Sequence, residues 1–504
     1  MRCCVTQKQM QDIEYDTIMN TGIPSIVLME RAALAVADAV LNNVEKKSII
    51  HIVCGKGNNG ADGIAVARLL FQQQYEVVIV TIGDSKKATE KYIIQEGIAQ
   101  NLGIPFVAWD VWDGAKCDCI IDGLFGIGLT RDILGEYKSL IEKIQGYAGK
   151  QIIAIDIPSG ISADTGAILG CAVKASITVT FEYGKLGHYV GAGREYAGDV
   201  IIASIGFNKK SIERIGYEAR MIEEKDLEHI PERVEHANKG TYGRILVIAG
   251  SKGMSGAAYL CAKAAYKSGA GLVKILTVKE NLQILQTQLP EAIIEIYKKD
   301  NIQETIEKEC DWATAIVMGP GLGQEPYVKT LVQQVLKMCK NRALDQEVNT
   351  IPLVLDSDAM NTIAENSELE LYYGEHIMIT PHMKEMSRLT HLSVDELKKS
   401  CVQVAKEYSE KHKIVCLLKD STSVISSSET GIYLNISGNS ALAKAGTGDV
   451  LAGIVVGLLG IGMSPWESAA FASYIHGVAG VSASKIHGKH GVLASDLFDT
   501  LEVR

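Results

Sequence analysis

The sequence predicts an α/β protein of two domains, each organised around an open parallel sheet. Three observations lead there. Short runs rich in Ile and Val alternate with helical apolar spacing and are separated by glycine-rich loops, the pattern of repeated strand–loop–helix units. The chain has 504 residues, and single hydrophobic cores stop growing at about 250–300 residues, so two cores are needed. Between Asn208 and His236 the chain is dense in charge and no strand pattern crosses it, which separates residues 1–216 from residues 217–504.

Bulk composition narrows the function classes. A formal charge of −10 argues against a surface built for nucleic acid or an anionic membrane, while leaving room for a local phosphate site. Eleven cysteines include no CxxC pair, so neither a zinc cluster nor a disulfide framework is indicated and a reducing, cytoplasmic setting is expected. Met1 to Gln9 lack the apolar core of a signal peptide. The longest apolar-plus-glycine run, Val450 to Met463, falls short of the ~20 residues that span a bilayer and reads as a buried helix.

In the first half, apolar spacing from Ile23 to Val40 suits an amphipathic helix. Ser48 to Cys54 reads as a buried strand, Gly55-Lys56-Gly57-Asn58-Asn59-Gly60-Ala61-Asp62-Gly63 as a loop, and Ile64 to Phe71 as a helix. Gly55, Gly57 and Gly60 match GxGxxG, and Asp84 follows the next strand where a ribose-binding acid would stand. That match is weak alone, because the loop is more polar than a pyrophosphate cradle requires. Two further strands end in acids: Asp118 to Ile121 at Asp122, and Gln151 to Ile155 at Asp156, followed by Ile157-Pro158-Ser159-Gly160. A single acid at a strand end is more often a cap or turn former. Ligands of open parallel sheets bind outside the carboxyl ends of the strands, so Asn58, Asn59, Asp122, Asp156 and Ser159 are expected to converge.

The second half repeats the pattern. Arg244 to Ala249 reads as a strand, Gly250 to Gly256 as a loop without the GK[ST] of a P-loop, and Ala257 to Ser268 as a helix. Later strands end in Gly319-Pro320-Gly321-Leu322-Gly323, Asp356-Ser357-Asp358-Ala359, Thr380-Pro381-His382 and Lys419-Asp420-Ser421-Thr422. Asp356, Asp358 and Glu385 are carboxylates of the kind that hold Mg2+ directly or through water. Thr422 to Ser426 and Ile432 to Ile436 read as a hairpin. Gly446-Thr447-Gly448-Asp449 then opens the apolar run. Free N–H groups at a helix start hold an anion, and an adjacent carboxylate can act as general base, which is the equipment of phosphoryl transfer to a hydroxyl.

The motifs Gly55 to Gly63, Asp122 to Asp132 and Asp156 to Gly160 resemble those of the NAD(P)H-hydrate epimerase family, over roughly residues 5–212. That resemblance implies a Rossmann-like domain that interconverts the R and S hydrates of NADH and NADPH (NADHX, NADPHX) and binds K+. By motif, Asn58, Asn59, Gly60, Ala61, Asp62, Gly126, Ile127, Gly128, Leu129, Thr130, Arg131, Asp132 and Asp156 would contact the hydrate, with Asp156 as acid–base group. Asn59, Asp122 and Ser159 would ligate K+. From about residue 225 to 500, Lys239 to Arg244, Gly250 to Ala270, Thr380-Pro381-His382 with Glu385, and Gly446 to Gly453 resemble the ADP- or ATP-dependent NAD(P)H-hydrate dehydratase family, which is ribokinase-like. There the resemblance implies Ala257, Gly323, His382 and Asp449 at the hydrate, and Lys419, Asp420, Ser421, Thr422, Ser423 and Gly448 at the nucleotide. Asp449 would be the catalytic base, ADP or ATP the co-substrate, and a homo-oligomer the expected assembly.

Each remaining reading leaves something out. A ribokinase-like small-molecule kinase does not use the first half, and an NAD-dependent dehydrogenase uses only the GxGxxG. A non-catalytic binding protein would have no use for Asp449.

Overall fold

The computed structural model describes residues 1–147, 149–298, 301–345 and 350–503. The chain divides into two compact units, Cys3–Ala219 and, together with Met1–Arg2, Arg220–Arg504.

Strands β1 (Arg2–Val5), β2 (Ile49–Cys54), β3 (Glu76–Thr81), β4 (Phe106–Ala108), β5 (Cys119–Gly123), β6 (Gln151–Ile155), β7 (Ile177–Phe181), β8 (Gly184–Lys185) and β9 (Asp199–Ala203) belong to the first unit, and β10 (Ala219–Met221) lies at the division. Seven of them form a sheet in the order β4-β3-β2-β5-β6-β7-β9, parallel throughout, and β1 pairs in parallel with β8. Parallel sheets carry helices on both faces, so their strands are buried on both sides and lose the polar alternation of a half-exposed sheet. The packing shows this residue by residue. Ile50, Ile52 and Cys54 of β2 join the core with the helices Ser25–Asn43 and Asn58–Gln72, whereas Val53 joins Ile120 of β5 and the helix Gly135–Gln145.

The second unit contains β11 (Arg244–Ile248), β12 (Leu272–Thr277), β13 (Ile293–Ile296), β14 (Ala315–Met318), β15 (Leu353–Leu355), β16 (Ile377–Ile379), β17 (Val415–Leu418), β18 (Ser423–Ser427) and β19 (Gly431–Asn435). Their order is β13-β12-β11-β14-β15-β16-β17-β18-β19, parallel up to β17 and antiparallel through the final hairpin. One face of this sheet is covered by the helices Ser255–Lys267 and Thr447–Gly460, which enclose Ile245, Val247 and Ile275. Among the described residues no helix is long and apolar enough to cross a membrane.

Both sheets change direction beside their first long strand, at β2/β5 and at β11/β14. The crevice at such a reversal is where open α/β sheets bind ligands. Two helices start earlier than their apolar spacing indicates. Asn58 to Gly63, read from the sequence as loop, form the first turns of Asn58–Gln72, and Thr447–Gly460 begins before Val450. In each case a glycine, Gly57 or Gly446, stands at the N-cap ahead of polar residues in the first turn.

Candidate active sites

In the first unit the loops after β2, β5 and β6 surround a cavity of about 1220 Å³. Asn58, Asn59, Asp62, Asp156 and the whole stretch Gly126 to Asp132 line it. Gly60 and Ala61 do not line it; both are buried. A Cβ on Gly60 would lie 1.8 Å from the Gly55 carbonyl oxygen, so the residue is glycine to let the loop close on itself. Asp84, the presumed ribose acid of the GxGxxG reading, reaches the cavity but accepts a hydrogen bond from the Lys86 N–H at 3.0 Å as the cap of a short turn.

Asp156 follows β6 with a left-handed φ of 65°, a conformation that costs a non-glycine residue energy and persists where surrounding contacts enforce it. Those contacts come from downstream. The Lys185 ammonium, 0% exposed, donates to Asp156 Oδ1 at 2.7 Å and to the Thr180 hydroxyl at 2.7 Å. The Thr180 hydroxyl also donates to Asp156 Oδ1, at 3.1 Å, and His188 Nε2 lies 2.8 Å from the Asp156 carbonyl. Burial pushes the Asp156 carboxyl up, but the charge and hydrogen bond of Lys185 outweigh it and hold the group below the usual range. Asp62, across the cavity, is driven the opposite way, first by burial and then by the charge of Asp156.

Asp122, at the end of β5, is fully buried and accepts hydrogen bonds from the Ser159 N–H at 2.8 Å and the Ser159 hydroxyl at 2.6 Å. Burial pushes its carboxyl up to about 6, against the hydrogen bonds from Ser159 and Leu124. No basic side chain is among the main groups that shift it, and the side-chain nitrogen of Asn59, a donor, is buried with no hydrogen-bond partner. A cation here would be held by oxygens of Asp122 and Ser159 and, for Asn59, by its side-chain carbonyl rather than its nitrogen.

In the second unit the loops after β11, β14, β15, β16 and β17 meet at the start of Thr447–Gly460. The Gly250 N–H donates to the Pro320 carbonyl at 2.9 Å, the Gly323 N–H to Asp358 Oδ2 at 2.8 Å, and Ala257 abuts Gly321. His382 caps the helix Met383–Thr390: its Nδ1 accepts from the Lys384 and Glu385 N–H groups at 3.1 Å each, and Glu385 Oε2 accepts from the His382 N–H at 2.8 Å. Half of its side chain stays exposed, so the ring can also meet a ligand. Lys419 pairs with Asp356 at 2.9 Å, and its ammonium lies 3.5 Å from where a Cβ on Gly448 would sit. Asp420 and Ser421 are exposed, Thr422 is buried, and Ser423 begins β18.

Gly446 takes φ 89° and caps Thr447–Gly460 without a side-chain hydrogen bond; the Thr447 N–H donates to the Lys444 carbonyl at 3.4 Å, and the Gly448 and Asp449 N–H groups of the first turn remain to meet an anion. Asp449 stands in that turn. Burial pushes its carboxyl up to about 7, reinforced by Asp356 and opposed by Lys419. A carboxyl poised near neutrality beside an anion hole suits general-base chemistry.

Asp356, Asp358 and Glu385, expected to hold Mg2+ directly or through water, do not form a direct three-carboxylate cage. Asp356 Oδ1 is taken by Lys419 and Thr380, Oδ2 by the Ser357 hydroxyl, and Asp358 by the Gly323 N–H. Among the described residues no group of three His, Cys, Asp or Glu is placed to hold a metal ion. The sequence also gave no role to Lys185, Thr180 or His188. Thr180 lies within β7, and Lys185 and His188 follow it in a short glycine-containing stretch that marks neither as functional.

Comparison with known proteins identifies both halves. Residues 25–187 match the family model described as YjeF-related protein N-terminus, and residues 245–503 match the one described as NAD(P)H-hydrate dehydratase. The chain is 32% identical to the bifunctional NAD(P)H-hydrate repair enzyme of Moorella thermoacetica, over 99% of its own length and 95% of that protein's. It is 32% identical to the Coxiella burnetii protein of the same name, over 98% of each. Among solved structures, the ADP/ATP-dependent NAD(P)H-hydrate dehydratase of Bacillus subtilis, co-crystallised with ATP/Mg2+, is 31% identical over 56% of this chain and 96% of that one, with a TM-score of 0.48. A ribokinase-like superfamily protein of Enterococcus faecalis is 28% identical over 56% and 94%, with a TM-score of 0.49. The chain belongs to the family of bifunctional NAD(P)H-hydrate repair enzymes.

Proposed function

We propose that the repair is divided between the two units, with epimerisation in the region 1–216 and nucleotide-driven dehydration of the S hydrate in the region 217–504. The observation that carries the dehydratase half is Asp449, a carboxyl near neutrality in the first turn of a helix whose leading N–H groups have no capping side chain.

A hydrated nicotinamide ring bears a hydroxyl that leaves poorly. In the proposed sequence Asp449 takes the hydroxyl proton as the oxygen attacks the terminal phosphorus of ATP or ADP, and the shortened nucleotide departs. The N–H groups of Gly448 and Asp449 and the Lys419 ammonium face the moving phosphoryl group. The ring nitrogen's electron pair then expels phosphate, and loss of a ring proton restores the dihydropyridine. His382, Gly323 and Ala257 line the hydrate side; Lys419 to Ser423 and Gly448 line the nucleotide side. Since three carboxylates do not form a cage here, Mg2+ is proposed to enter on the nucleotide phosphates, as that ion commonly does.

In the first unit Asp156, oriented by Lys185, Thr180 and His188, is the proposed acid–base group, with the hydrate lying against Asn58 to Asp62 and Gly126 to Asp132. Asn59, Asp122 and Ser159 are the proposed K+ ligands; the ion would supply the positive charge that the buried Asp122 lacks. Both substrates are small molecules, and we place the enzyme in the cytoplasm as a homo-oligomer. Purified protein given chemically hydrated NADH and ATP or ADP is expected to restore the near-ultraviolet absorbance of the dihydronicotinamide. No recovery with either nucleotide would remove the dehydratase reading.

A further inference from the structure

Asp356 accepts from three side chains at the centre of the second site. It is fully buried. Its Oδ1 accepts from the Lys419 ammonium at 2.9 Å and from the Thr380 hydroxyl at 2.5 Å, and its Oδ2 accepts from the Ser357 hydroxyl at 2.6 Å. Ser357 takes a left-handed φ of 48°, so the main chain bends sharply beside this carboxylate. Lys419 is tied at its own backbone, where its N–H donates to the Pro381 carbonyl at 2.7 Å and the strand end bridges to His382. Both ends of the lysine are therefore held, and the ammonium is left 3.5 Å from the space over Gly448.

A lysine is a point charge on a flexible four-carbon stem, and without a partner its head group samples many positions. A charge already in place where a phosphoryl group moves needs no reorganisation during the reaction. We infer that Asp356 is a positioning residue for the dehydratase reaction, holding the Lys419 ammonium against the Gly446–Asp449 turn where the phosphoryl group is transferred. The hydroxyls of Thr380, on Oδ1, and Ser357, on Oδ2, fix which oxygen faces the ammonium. Asp356 itself touches neither nucleotide nor hydrate in this account, which rests on the phosphoryl-transfer reading above.

The test is a double-mutant cycle on the full-length protein, read as ATP affinity without turnover and as the dehydration rate. Asp356→Asn is expected to weaken both by roughly 10²-fold, the scale of losing one preorganised electrostatic contact. Lys419→Met is expected to cost a similar factor. In the Lys419→Met background, Asp356→Asn should cost less than ~3-fold more, because the ammonium it positioned is gone. Asp356→Glu, which keeps the charge but displaces the ammonium, should show the same dependence on Lys419 and serves where Asp356→Asn folds poorly. Equal losses in both backgrounds would show a structural role and overturn the inference, as would an Asp356→Asn variant with wild-type affinity and rate. If Asp449→Asn left dehydration intact, the proposed base would fall, while the affinity cycle would still decide the pairing of Asp356 with Lys419.

Discussion

Lys185→Met isolates the contact that makes Asp156 what it is. Methionine keeps the length and apolar packing of the stem and removes only the ammonium, which in the native protein is 0% exposed and bonded to Asp156 Oδ1 at 2.7 Å. Removing one partner of a buried ion pair leaves an uncompensated charge and costs about 3–5 kcal/mol. The Thr180 hydroxyl remains as a donor, which places the expected loss near the lower end, about 3 kcal/mol. Its pH dependence has a definite sign. In the wild type the Asp156 carboxyl is held below its ordinary 3.8, so its contribution is complete above that value and disappears as pH falls through the native one. Without Lys185, burial dominates and the carboxyl rises above 3.8, so the penalty of the variant is relieved on acidification. Hydrogen exchange resolved to peptides covering β7 and its neighbours, from pH 5 to 8, measures the opening free energy of this unit alone. Epimerisation should fall at least ~10²-fold. Adding Asp156→Asn should recover much of the stability and none of the activity. A Lys185→Met protein within about 1 kcal/mol of wild type across that range, or a double variant less stable than the single, would refute the argument.

Three other outcomes are expected. Asp449→Asn should slow dehydration by about 10²–10⁴-fold, and wild-type kcat/KM for dehydration should rise with pH through about 7 as Asp449 ionises; a flat wild-type profile would contradict the assignment. Gly60→Ala should cost about 1–3 kcal/mol or more in the first unit, since the added carbon would lie 1.8 Å from the Gly55 carbonyl oxygen, a backbone atom that cannot rotate away; epimerisation should fall and dehydration persist when the two are assayed separately. Exchanging K+ for tetramethylammonium at fixed ionic strength should slow wild-type epimerisation and lower the melting temperature of the first unit, and Asp122→Asn should abolish both responses; equal responses in the two proteins would remove the cation site.

Much of this was legible in the sequence because the informative residues cluster at strand ends. Gly55 to Gly63, Gly126 to Asp132 and Gly446 to Asp449 are contiguous, and a parallel sheet carries every strand end to one edge. Strands such as Ala315–Met318, Leu353–Leu355 and Ile377–Ile379 stand out as unbroken apolar runs, as doubly covered strands must. The hidden part is long-range pairing. Lys185 meets Asp156 across 29 positions and Lys419 meets Asp356 across 63, and no local pattern announces either. Asp356 and Asp358 suggested a metal by residue type alone, because the partners Thr380, Gly323 and Lys419 stand 24, 35 and 63 positions away from them. Gly60 and Ala61 fall within the same motif and are buried, outside the set of residues that line the cavity.

The central claim is that one chain repairs both epimers through two separate sites, and the most direct test follows an R/S mixture of hydrated NADH in the presence of ATP or ADP, with absorbance recovery and epimer ratio recorded together. The wild type should restore the whole mixture. Asp449→Asn should restore almost none while still interconverting R and S, and Asp156→Ala should restore the S fraction promptly and the R fraction only at the spontaneous epimerisation rate. Full recovery by Asp156→Ala at the wild-type rate, or loss of both activities from either single substitution in a folded protein, would contradict the account.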